Sequence, residues 1–163
     1  MRTATCAEVR TDFADDSVKE HGEIVQFAGR NVATAIQEMI AALGYRVSEP
    51  ENGDEHGWWL HINHEDRQFW VQVTDLPPDV MLMIEDVTFF LNRWFSKNGH
   101  LYGEFVRKLK AAIEADPRFH HIDWFEQDKN GRVLGPDRKP LSTKELQARS
   151  LARKAALPAG RDA

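Results

Sequence analysis

A chain of 163 residues with 42% hydrophobic and 10% aromatic content has enough apolar material for one buried core. Charged residues make up 29% of it, and no apolar run exceeds five residues, which excludes a membrane-spanning helix. The net charge of −5 hides an asymmetry: residues 128–163 carry nine Lys or Arg against four Asp or Glu, so this tail is +5 and the preceding body −10. An acidic body repels phosphate, which leaves the tail, with Arg138, Lys139, Lys144, Arg149, Arg153 and Lys154, as the one place for nucleic-acid contact, and no reading motif accompanies it.

The N-terminus lacks the apolar middle of a secretory signal, and the single cysteine, Cys6, excludes an internal disulfide and a thiolate-rich zinc site. Both fit a bacterial-type protein of the reducing cytoplasm, with Cys6 expected as an exposed thiol.

Residues 1–22 are polar and acidic without a sustained period, and read as an arm. Val32, Ile36, Met39, Ile40 and Leu43 recur at helical spacing, so a helix is predicted over 31–43, with Asn31 as N-cap and Gly44 as stop. A short extended stretch at 45–49 and the turn chemistry of Asn52-Gly53-Asp54 follow. Trp58, Leu60 and Ile62, then Phe69, Val71 and Val73, alternate with polar or amphipathic residues, which predicts two strands. A turn over 64–67 sets Asn63 opposite Gln68 and brings the two alternations onto one core-facing side. Leu76-Pro77-Pro78-Asp79 is expected to break the sheet before a further strand at 80–87, and the aromatic stretch 88–97 to cross it.

Leu101, Phe105, Leu109, Ala112 and Ile113 predict a second helix from His100, stopped at Asp116-Pro117, and 119–125 a last strand. Beyond residue 127, Asn130-Gly131, Gly135-Pro136 and Lys139-Pro140 are linker signals, and Ser142 with Glu145 has the spacing of a capping box opening a helix-capable tail. The organisation expected is therefore an arm over 1–22, a domain over 23–127 and a basic tail over 128–163. The fold class is α+β: a two-layer sandwich in the order helix, antiparallel meander, helix, strand. In topology and acidity it resembles small acidic secretion chaperones and bacterial adaptor or immunity domains.

No phosphate loop, nucleophile elbow or dinucleotide fingerprint is present, and Gly-His-Leu-Tyr-Gly at 99–103 is too loose to be one. His61, His64, His120 and His121 diverge at strand spacing, so no metal is expected; a site would need His61 and His121 to meet with Asp123. Glu85 and Asp86, or Asp75 and Asp79, are the carboxylates to weigh for acid–base chemistry, and turn or surface roles account for them equally. No cofactor is expected. The informative feature is the second face of the sheet, where Trp59, His61 and Trp70, joined by Met81 and Met83, replace the polar residues that water would favour. That composition points either to a protein partner or homodimer contact, or to cover by the basic tail or the aromatic stretch 89–95 of the same chain; with the absence of catalytic motifs, the first of these gives a non-enzymatic binding module. The alternative is a small-ligand binder or hydrolase-type enzyme with a pocket near His61, Glu85 and His121.

Overall fold

Residues 4–53, 57–90 and 97–156 are described by the structure, a computed structural model. In chain order these residues form β1 (Cys6–Thr11), β2 (Val18–Glu20), β3 (Glu23–Gln26), α1 (Arg30–Ala42), β4 (Arg46–Val47), β5 (Glu51–Asn52), β6 (Trp58–His64), β7 (Arg67–Leu76), β8 (Asp79–Asp86), α2 (His100–Ala115), β9 (Phe119–Gln127), β10 (Val133–Leu134) and α3 (Thr143–Ala156). The protein is α+β with a mostly antiparallel sheet. It divides into two units, Met1–Trp124 and Phe125–Ala163.

In the first unit the strands lie in the order β9-β1-β8-β7-β6-β4, with β5 also paired to β6. The β6–β7 hairpin has the predicted register, Asn63 opposite Gln68 and Leu60 opposite Val71. Two corrections concern this sheet. The opening stretch is not an irregular arm: it supplies β1, paired to β8 and flanked on its other side by β9. Only Ala7 and Val9 of β1 face the core, and two small side chains among polar ones leave a weak local signal. Nor do the prolines break the sheet. Leu76 pairs with Asp79 around a cis Pro77–Pro78 turn, so neither proline sits where the ladder needs an N–H. Of the aromatic stretch expected to cross the sheet, residues 91–96 lie outside the described residues, while Phe89 and Phe90 are exposed.

The core gathers Leu60, Ile62, Phe69, Val71, Val73, Leu82 and Ile84 from the meander with Ile36 and Ile40 of α1 and Phe105, Leu109 and Ile113 of α2. Ile36, Leu60, Val71 and Leu109 are each 0% exposed, as the alternation and the helical spacing require. Helix α1 starts at Arg30 and is not capped by Asn31. Asp16 caps it from a distance, accepting from the N–H groups of Gly29 at 2.7 Å and Asn31 at 2.6 Å, so a carboxylate meets the positive end of the helix. Gly44, at φ 89°, ends α1 in the left-handed conformation that glycine adopts without strain. At one end of the core the guanidinium of Arg67 pairs with Asp86 in a buried ion pair.

In the second unit the end of β9 pairs with β10, Val133 opposite Gln127. Ser142 and Glu145 form the predicted capping box: the Ser142 N–H and hydroxyl donate to Glu145 Oε2 at 2.8 and 2.6 Å, and the Glu145 N–H donates to Ser142 Oγ at 3.3 Å. Helix α3 buries none of its residues, Leu151 is exposed, and the Arg149 guanidinium lies 4.3 Å from the Phe125 ring centre. No described helix is long and apolar enough to cross a membrane.

Candidate functional site

Strand alternation puts every second residue of β6, β7, β8 and β1 on the face opposite the core. Cross-strand pairing then arranges these residues in rows. One row runs Glu51, Trp59, Gln72, Met83, Cys6; a second runs His61, Trp70, Glu85; a third runs Thr74, Met81, Glu8. Trp59, His61, Trp70, Met81 and Met83 are thus brought together on one face, and each is half-buried.

The two indoles meet edge to face, with ring centres 5.0 Å apart and planes at 70°, the geometry in which one ring's positive edge meets the other's negative face. His61 approaches Trp59 in a similar T-shaped contact at 6.4 Å and lies 3.6 Å from Glu51 Oε2. Trp70 Nε1 donates to Glu85 Oε2 at 3.0 Å, which holds its ring against the sheet. Trp59 differs: its Nε1 is buried and has no acceptor among the described residues. Gly53 lies over that indole so closely that a Cβ at position 53 would stand 2.6 Å from Nε1. A side chain there would therefore push the ring away. Gly53 shapes the face, and the turn chemistry at 52–54 carried no hint of it.

Cys6 ends the first row, and here the structure corrects the expectation of an exposed thiol. It is 3% exposed, and burial, with a further contribution from the Glu85 charge, pushes its pKa up to about 11. A thiol held protonated at neutral pH is a poor nucleophile.

The other candidates are dispersed. Asp86 is engaged by Arg67, and Asp79 pairs with Arg10 at 3.0 Å. His120 contacts Asp12 at 3.0 Å, His64 packs edge-on to Tyr45, and His121 belongs to β9, beyond β1 from Glu85. Among the described residues, no group of three or more His, Cys, Asp or Glu converges as metal ligands would. Asp15 and Asp75 border two cavities of about 240 and 260 Å³, the larger of which Asp16 also lines. Burial, and then the charges of Asp15 and Asp16, raise the Asp75 carboxyl above its ordinary range.

No protein-family model matches the sequence, and no curated protein matches it either.

Proposed function

We propose that the protein is a small non-enzymatic binding module of adaptor, chaperone or immunity type, which engages a protein partner through the face bearing Trp59, His61, Trp70, Met81 and Met83. The observation that carries this reading is the gathering of two indoles and two methionines on the side of the sheet away from the core. A sheet face that met only water would carry polar residues at those positions. Tryptophan is enriched among the residues that dominate interface energetics, and methionine adapts its shape to different partners. The acidic body adds long-range attraction for a basic partner and disfavours nucleic acid.

The test is affinity purification of the full chain beside its Trp59→Ser/Trp70→Ser variant. The expected result is a partner, or a second copy, retained by the wild type and lost by the variant, while the variant's far-UV circular dichroism is unchanged. Equal retention by both chains would remove the face from the function.

A further inference from the structure

We draw no further inference here: the strongest candidate, the two cavities beside the β2–β3 hairpin and the start of α1, both lined by Asp15 and Asp75, is an acidic cluster at a helix N-terminus that Asp16 already caps, and nothing among the described residues points to a ligand that it would hold.

Discussion

The two faces of the β6–β7–β8 meander are made from the same strands, residue by residue, yet they obey different rules. On one side Leu60, Ile62, Phe69, Val71, Val73, Leu82 and Ile84 are at most 1% exposed, packed under α1 and α2. On the other side Trp59, His61, Trp70, Met81 and Met83 are half-buried, and the rings of His61 and Trp70 each meet that of Trp59. The difference teaches that large apolar side chains do two jobs here. Aliphatic and phenyl groups, with the one indole of Trp58, interlock under the helices, whereas the indoles of Trp59 and Trp70 and the thioethers of Met81 and Met83 sit on the face away from them. The core face also ends in ionisable groups at both ends of β7: Arg67, paired with Asp86, at one end and Asp75 at the other. Among the described residues, one of those ends is neutralised by a counter-charge and the other is not.

The largest expected effect breaks the neutralised end. Asp86→Ala would leave the Arg67 guanidinium buried without its counter-ion, two of its nitrogens already lacking an acceptor among the described residues, at a cost of about 3–5 kcal/mol. Urea unfolding would measure it. A loss below about 1 kcal/mol would mean that Arg67 escapes to water and that the core is open at this end.

Next comes the contrast between faces. Leu60→Ala should cost about 2–5 kcal/mol, because a fully buried side chain leaves a cavity. Trp70→Ser, one face over on the neighbouring strand, should cost about 1 kcal/mol, the scale of a single cross-strand aromatic contact. Equal losses in thermal or chemical melts would place Trp70 in the core and withdraw the argument for a binding face.

How far this contrast was legible in the sequence depends on how local its causes are. The period-two alternation of 58–63 and 68–73 displays both faces at once, and the turn between them sets the register, so Trp59, His61 and Trp70 could be placed together on the second face before any coordinate. The helices were legible for the same reason: their apolar stripes span three or four turns. What escaped is what depends on distant partners. Strand β1 is defined by its neighbours β8 and β9 rather than by its own hydrophobicity, and with it Cys6 and Glu8 join the face unannounced. Asp16 as the cap of α1 and Gly53 as the lid on Trp59 are contacts between residues 13 or 15 and six positions apart, where residue type alone implies nothing. Arg67 looked like a turn residue and is buried because Asp86, on the neighbouring strand β8, is there to meet it.

A smaller change sharpens the open face without removing a ring. Gly53→Ala forces a methyl within 2.6 Å of Trp59 Nε1, so the indole or the loop must shift. The ring borders solvent and can yield, which keeps the cost near about 1 kcal/mol, the low end for overpacking. Tryptophan emission should move to the red as the indole leaves its cover, and the affinity for any ligand of the face should fall. An unchanged spectrum would show that Gly53 does not seat the ring.

The smallest expected effect concerns the end of the core face that has no counter-charge among the described residues. Asp75 follows Val71 and Val73 on the core side of β7, opposite Val80, and its neighbours include Asp15 and Asp16. Partial burial and then those two charges raise its pKa above 3.8, so the folded protein holds the Asp75 proton more tightly than the unfolded chain does. The sign follows from linkage: the stabilisation by the protonated form is complete below the unfolded value and is lost as pH rises through the raised one, leaving an ionised carboxylate that disfavours folding at neutral pH. Asp75→Asn removes the ionisation and keeps the shape. The variant should melt slightly higher than wild type at pH 7, and the gap should close by about pH 3, where both side chains are uncharged. Much of the group remains in contact with solvent, so the gain is small and shrinks further in high salt. A variant that melts lower at pH 7 would show that the Asp75 carboxylate has a favourable partner at neutral pH, and that this end of the core face is neutralised just as the Arg67 end is.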